Sequence, residues 1–217
     1  MLGKLFDKQP ASGGASVTPG LSGPRIPRHS GGWSALRKRL TAEPGLRVLD
    51  VGTTSPANIN YLTGLGHSVY MADLIEDAAS EEWISGQDED GKPVWDVEGF
   101  TRQNLLFSGR TFDIVLLWTT LDYLPEALVA PVVQGLYSCM APGGQLLALF
   151  HTKLNAESAP HQRFHATPTD NVEVQQARAA TQQRALTNRN IEKLFSEWSG
   201  LKQFLAKDGV SEAIIVR

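Results

Sequence analysis

Two acidic residues lie at the ends of short apolar runs in the first third of the chain. Asp50 belongs to the run at residues 46–51 and precedes Gly52, and Asp73 follows the run at residues 67–72. Such runs are typical of buried parallel strands, whose carboxyl ends bind ligands in open α/β sheets. A carboxylate about 20 residues beyond a glycine turn accepts both hydroxyl hydrogens of a ribose. We therefore expect Asp73 either to bind a nucleoside or to cap the helix that follows it.

A second group of polar residues follows two later apolar runs. Thr119, Thr120, Asp122 and Tyr123 come after residues 112–118, and His151 ends the run at residues 145–150. Because strand ends meet at one edge of a parallel sheet, this group is expected near Asp73. The candidate catalytic residues are Asp122, Tyr123 and His151. A tyrosine has a pKa near 10 and is a poor base, and a strand-end histidine is also compatible with a structural role.

The elements that position these residues alternate between strands and helices. Helical spacing of apolar residues is found at residues 33–40, 59–65, 125–140 and 190–198. Strands are predicted at residues 46–51, 67–72, 112–118 and 145–150, with a third strand of the sheet between Val94 and Arg102. Asp208-Gly209 between two apolar segments predicts a C-terminal hairpin. The fold class is therefore α/β, with a doubly wound, mostly parallel, seven-stranded sheet and an antiparallel C-terminal hairpin.

The first 32 residues differ in composition from the rest of the chain. Residues 9–32 are mostly Gly, Pro, Ser and other small residues with little to bury. Such a segment does not offset its ordering entropy. We predict a disordered tail over residues 1–32 and one domain over residues 33–217.

Five segments, in this order and spacing, resemble class I S-adenosylmethionine (SAM)-dependent methyltransferases over roughly residues 33–217. They are residues 48–52, 70–74, 104–107, 112–125 and 141–147. The resemblance implies a Rossmann-like fold, SAM as the cofactor and methyl transfer to a small-molecule acceptor. It implies that the cofactor-binding residues are Asp50, Gly52, Thr53, Thr54, Asp73, Leu74, Asn104, Leu105 and Trp118.

The loop after the first strand departs from the family pattern of three glycines. Only Gly52 is kept, and Thr54 and Pro56 take the other two places. Ser55-Pro56 is a good helix start, with a hydroxyl cap followed by proline. SAM has no pyrophosphate for the loop to bind, so the change disfavours a nicotinamide-dependent oxidoreductase more strongly. The other alternative is a non-catalytic, methyltransferase-like partner module that has lost SAM.

Composition limits the remaining functions. The net charge of −3 gives no clear nucleic-acid signal, and no apolar run reaches the roughly 18 residues of a membrane span. The one cysteine, Cys139, lies in an apolar run and is expected to be buried. No metal site is expected, because the pair His161 and His165 lacks acidic partners. A cytoplasmic location follows from these points and from an N-terminus too short and charged for a signal peptide.

Residues 153–189 are rich in arginine and poor in acids. The arginines include Arg163, Arg178, Arg184 and Arg189. In the family this region often covers the substrate pocket, where a basic cover would suit an acidic small molecule. A solvated surface is the alternative interpretation.

Overall fold

The apolar runs of the sequence form a six-stranded sheet in the computed structural model, which describes residues 22–155, 160–205 and 208–217. The strands of the described chain are β1 (Ser22–His29), β2 (Arg47–Val51), β3 (Ser68–Ala72), β4 (Ile84–Gln87), β5 (Pro93–Trp95), β6 (Phe112–Trp118), β7 (Met140–His151), β8 (Pro160–His165), β9 (Asn171–Ala179), β10 (Gly200–Phe204) and β11 (Val210–Val216). The helices are α1 (Gly31–Ala42), α2 (Pro56–Gly64), α3 (Leu74–Asp77), α4 (Val97–Asn104), α5 (Thr120–Tyr123), α6 (Glu126–Cys139) and α7 (Asn188–Leu194).

The central sheet has the strand order β10-β11-β7-β6-β2-β3. Strands β3, β2, β6 and β7 are parallel, and β11 runs antiparallel between β7 and β10. The α/β class, the parallel centre and the antiparallel C-terminal hairpin are thus confirmed. The four parallel strands bring their carboxyl ends to one edge, and the loops that leave this edge carry most of the candidate residues.

Helices cover both faces of the central sheet, as the doubly wound prediction requires. On one face α1 packs through Trp33, Leu36 and Leu40, which are at most 1% exposed. On the other face α4 and α6 bury an apolar stripe that includes Phe100 and Leu128. Burying each such side chain stabilises the fold by about 1.5–3 kcal/mol. Cys139 lies in this second core, as expected, and within the described ranges no helix is both long and apolar enough to cross a membrane.

The predicted third strand between Val94 and Arg102 is wrong, which leaves six strands where seven were expected. The segment from Val97 onward forms α4, because the Asp96 carboxylate caps its start by accepting from the Gly99 N–H at 2.9 Å. Pro93–Trp95 pairs with β4 in a separate two-stranded hairpin. β3 consequently forms one edge of the central sheet.

A second, three-stranded antiparallel sheet has the order β1-β9-β8 and was not predicted. Its strands β8 and β9 replace the polar stretch expected after His151. Its strand β1 lies inside the predicted tail, so the ordered chain begins before residue 33 and the boundary at residue 32 is wrong. Residues 1–21 lie outside the described residues, and their disorder stays a prediction.

Candidate functional site

In the loop after β2 the backbone at Gly52 lies close to the end of β3, although the other two family glycines are absent. Gly52 has a φ of +154°, a backbone conformation that residues other than glycine rarely adopt. Its N–H donates to the Ala72 carbonyl at 2.8 Å. Ser55 caps α2 by accepting from the Asn58 N–H, and Pro56 is the first helical residue. Thr54 and Pro56, which take the places of the other two glycines, are exposed. The predicted helix start is confirmed.

Asp50 is buried and uses both carboxylate oxygens inside the protein. Its Oδ1 accepts from Trp118 Nε1 at 2.7 Å, and its Oδ2 accepts from Asn58 Nδ2 at 2.8 Å. Burial is the main cause that raises the pKa of Asp50 to about 6, although both hydrogen bonds oppose it. Asp50 therefore connects β2 to β6 through Trp118 and to α2 through Asn58.

The indole of Trp118 is stacked on a side chain of the second sheet. The rings of Trp118 and Phe164 are nearly parallel, with centroids 5.3 Å apart. The backbone beside Phe164 is fixed as well, since Asn58 donates to the Phe164 carbonyl at 3.2 Å and accepts from the Ala166 N–H at 2.6 Å. β8 is thus attached to the start of α2 directly above the strand ends.

Asp73, the predicted ribose acceptor, has two partners. It caps α3 by accepting from the Glu76 N–H at 3.2 Å, and Arg178 of β9 forms an ion pair with it at 2.9 Å. Arg178 also pairs with Glu76 at 3.0 Å. The capping alternative is therefore what the structure shows.

Of the residues expected to contact adenine, two lie in the core and one lines a groove. Leu74 and Leu105 are buried in the core. Asn104 ends α4, and its buried Nδ2 has no hydrogen-bond partner in the described chain. Together with Asp73 and Asp77, Asn104 lines a groove of about 550 Å³ along the β3 edge.

The three candidate catalytic residues lie together with one histidine that was not expected there. Asp122 Oδ2 accepts from both the backbone N–H and Nδ1 of His151, each at 2.7 Å. The Tyr123 ring packs edge-on against His151 and His161, with centroid distances of 6.1 Å and 4.6 Å. All four residues are buried. His161 comes from β8, and its position could be predicted only if β8 had been recognised as a strand.

Burial sets the protonation of this group. It raises the pKa of the Asp122 carboxyl, while the contacts with His151 oppose the shift. It also raises the pKa of Tyr123 to about 12, with the Asp122 charge adding to the effect, and lowers the pKa of His161 to about 4. Tyr123 is therefore a hydrogen-bond donor at neutral pH and not a base, and His161 is a neutral imidazole.

Several polar atoms at this edge are buried without a hydrogen-bond partner in the described residues. They are Thr53 Oγ1, Thr119 Oγ1, Asp122 Oδ1, His161 Nδ1 and Arg163 Nε. Buried polar atoms are nearly always paired in folded proteins. Their grouping where loops of the central sheet meet β8 is typical of a ligand site.

His165 closes the other end of this edge. One ring nitrogen contacts the Ser55 hydroxyl at 2.8 Å and the other contacts Gln175 at 3.1 Å. Burial lowers the pKa of His165 to about 4, so the ring is neutral. His161 and His165 thus have different surroundings, and no group of three or more potential metal ligands occurs among the described residues.

A family model described as "Methyltransferase domain" matches residues 28–202 of the chain. TehB from Haemophilus influenzae is similar in structure, with a TM-score of 0.48, 13% identity and coverage of 87% of this chain and 62% of its own. Magnesium protoporphyrin IX methyltransferase from Synechocystis PCC 6803, with bound SAM, has a TM-score of 0.47, 18% identity and coverage of 85% and 77%. A TehB-like SAM-dependent methyltransferase from Corynebacterium glutamicum has a TM-score of 0.49 and 13% identity, and the match covers 86% of this chain and 87% of its own. No curated protein matches the chain.

Proposed function

Because the chain belongs to the methyltransferase domain family, we propose that it transfers a methyl group from SAM to a small-molecule acceptor in the cytoplasm. One observation carries the proposal. Gly52 and Asp73 lie at the carboxyl ends of two neighbouring parallel strands, and buried polar atoms that have no partner in the described part of the chain lie along the same edge. This edge is where open α/β sheets bind ligands.

The side chains at this edge suggest an order for the parts of SAM. Asp73 would accept the ribose hydroxyl hydrogens, and Asn104 and Trp118 would contact the adenine, whereas Leu74 and Leu105 lie in the core and would act only by supporting this place. Gly52, Thr53 and Thr54 would approach the methionyl part, with Asp50 next to its ammonium. Thr53 supports this order, because its buried hydroxyl has no protein partner among the described residues. Bound SAM supplies a methyl group on a sulfonium, which is open to attack by a nucleophile.

Two contacts have to change before an adenosyl group can take this place. Arg178 pairs with the carboxylate that the ribose needs, and Phe164 covers the indole face that adenine would contact. Both residues belong to the β1-β9-β8 sheet. The Arg178 guanidinium is the easier one to move, because its side chain is 30% exposed and exposed ion pairs contribute at most about 1 kcal/mol.

Asp122, Tyr123 and His151 are proposed to face the acceptor. Asp122 holds Nδ1 of His151, which leaves Nε2 as the nitrogen able to accept a proton from an acceptor. The Tyr123 hydroxyl keeps its proton and would orient the acceptor by donating a hydrogen bond. Alignment of the methyl donor with the acceptor supplies a large part of the rate enhancement of such a reaction, even without a catalytic base.

Calorimetry with S-adenosylhomocysteine (SAH) tests the proposal. We expect binding by the wild type, loss of at least tenfold in affinity in Asp73→Ala and a severalfold gain in Arg178→Ala, because that variant frees Asp73. Arg189→Ala, which replaces an exposed arginine of α7, is the matched control and should bind like the wild type. Equal affinity in all four proteins would contradict the assigned ribose site.

The second candidate function is a non-catalytic partner module. The specific observations in its favour are the Arg178–Asp73 ion pair and the Phe164–Trp118 stack, which occupy the groups that SAM would use. If the folded wild type and Arg178→Ala both fail to bind SAH at millimolar concentration, this second function replaces the first.

A further inference from the structure

Arg163 in β8 is a buried arginine without an acidic partner. It is 3% exposed, and none of the ion pairs between described residues includes it. Its Nε is buried and has no hydrogen-bond partner among the described residues. Buried donors are nearly always paired in folded proteins, because a buried donor without an acceptor costs free energy. An anion that accepts from Nε would supply the missing acceptor.

The surroundings of Arg163 belong to the candidate site. His165, two residues on and on the same face of β8, contacts Ser55 in the loop after β2. The charges of Arg163 and Asp50 attract each other, and each affects the pKa of the other. The two oxygens of Asp50 accept from Trp118 and Asn58, so Asp50 and Arg163 form no direct ion pair within the described chain.

The neighbouring cations differ from Arg163 because each has an acidic partner. Arg178 is paired with Asp73 and Glu76, and Arg25 is 3.5 Å from Glu173. Arg163 is attracted by Asp50 but makes no direct ion pair among the described residues, so its guanidinium is still able to pair with a singly charged anion. A carboxylate suits it best, because its two oxygens accept the parallel N–H groups of a guanidinium.

We propose that Arg163 is the anchor of a carboxylate subsite between β8 and the loop after β2. The proposal rests on the function proposed above, because a carboxylate has two sources in that reaction. One is the amino-acid end of SAM, and the other is an acidic methyl acceptor. His161 Nδ1 and Thr53 Oγ1, both buried and without partners in the described chain, supply further hydrogen bonds at the same edge.

The test compares the wild type with Arg163→Met, which keeps an apolar stem of similar length and removes the charge. Calorimetry with SAH and with 5′-methylthioadenosine, which lacks the amino-acid carboxylate, probes the first source. Calorimetry with benzoate and with its uncharged analogue benzamide probes the second. Arg25→Met, which removes a neighbouring but paired cation, is the control.

A loss of at least tenfold for SAH but not for methylthioadenosine in Arg163→Met assigns the subsite to the amino-acid end of SAM. A loss for benzoate, with SAH unchanged and benzamide not bound, assigns it to the acceptor. If neither carboxylate is affected, the proposal is overturned. If no nucleoside binds to any variant, the proposed methyl transfer fails while the benzoate comparison still decides the role of Arg163.

The melting temperature gives an independent readout. Removing an unpaired buried charge should raise the melting temperature of ligand-free Arg163→Met above that of the wild type. A drop of several degrees would mean that the guanidinium already has an anionic partner in the free protein, and it would also overturn the proposal.

Discussion

At the scale of single residues, Asp50 has a role that its position alone does not reveal. A carboxylate at the end of a first strand suggests a ligand contact, yet both of its oxygens are engaged by Trp118 and Asn58. Its burial makes ionisation costly, and the two hydrogen bonds offset only part of that cost. Asp50 should therefore make stability depend on pH near the middle of the acidic range.

The pH dependence has a definite sign. The folded-state pKa of Asp50 is raised from 3.8 to about 6, so the folded protein binds this proton more tightly than the unfolded chain does. Relative to Asp50→Asn, the free energy of unfolding of the wild type should fall by about 2 kcal/mol as pH rises from 4 to 7. Urea unfolding of both proteins at several pH values measures the difference. A constant difference would mean that Asp50 is not perturbed.

Residues of the central sheet could be predicted as site candidates, whereas those of the second sheet could not. Asp73, Asp122 and His151 follow apolar runs, and strand ends of a parallel sheet meet at one edge. Arg163 and Phe164 reach this edge only through the folding of β8. Their positions depend on tertiary contacts that a local pattern does not encode, and the basic character of residues 153–189 was the one signal available.

At the scale of elements, β1 is held in place by a buried acid. Glu212 of β11 is 2% exposed, and its carboxylate accepts from Arg28, from the Ser30 hydroxyl at 2.8 Å and from the Gly32 N–H at 2.7 Å. These contacts join β1 and the first turn of α1 to the C-terminal hairpin. Removing the Glu212 carboxylate would leave Arg28 with the more exposed Asp208 as its acidic partner and would leave the Ser30 and Gly32 donors without their acceptor.

Glu212→Ala should lower the free energy of unfolding by about 3 kcal/mol, because Arg28 loses its buried partner and two donors lose their acceptor. Glu173→Ala is the matched control, since it removes the acid of a largely exposed pair with Arg25 and should cost less than about 1 kcal/mol. Urea unfolding at neutral pH gives both values. Similar losses in the two variants would show that burial does not distinguish these pairs.

The mistaken elements have physical causes. β1 contains Pro24 and Pro27, which favour a prediction of disorder, but it is an edge strand, where proline is tolerated. The segment predicted as the third strand instead begins a helix at the Asp96 cap. The long apolar strands and the α6 stripe were predictable because their periodicity is local and strong.

At the scale of the whole molecule, two sheets meet over the candidate site. The parallel sheet follows the fold of the methyltransferase domain family, and the β1-β9-β8 sheet covers its carboxyl edge through contacts at Phe164, His165 and Arg178. A ligand at the proposed site would therefore contact both sheets. His165 attaches this second sheet to Ser55 in the loop after β2. Arg178 pairs with Asp73, and a nucleoside would compete with Arg178 for that carboxylate.

The edge strand β3 has a consequence for local fluctuations. Among the described strands β3 pairs with β2 alone, and its Tyr70 and Met71 side chains are 37% and 38% exposed, whereas β6 has neighbours on both sides. The outward-facing amides of β3 thus have no ladder partner within the described ranges, and they should exchange their hydrogens for deuterium orders of magnitude faster than those of β6. Exchange measured by mass spectrometry checks this. Slow exchange throughout β3 would mean that another chain protects this edge in solution.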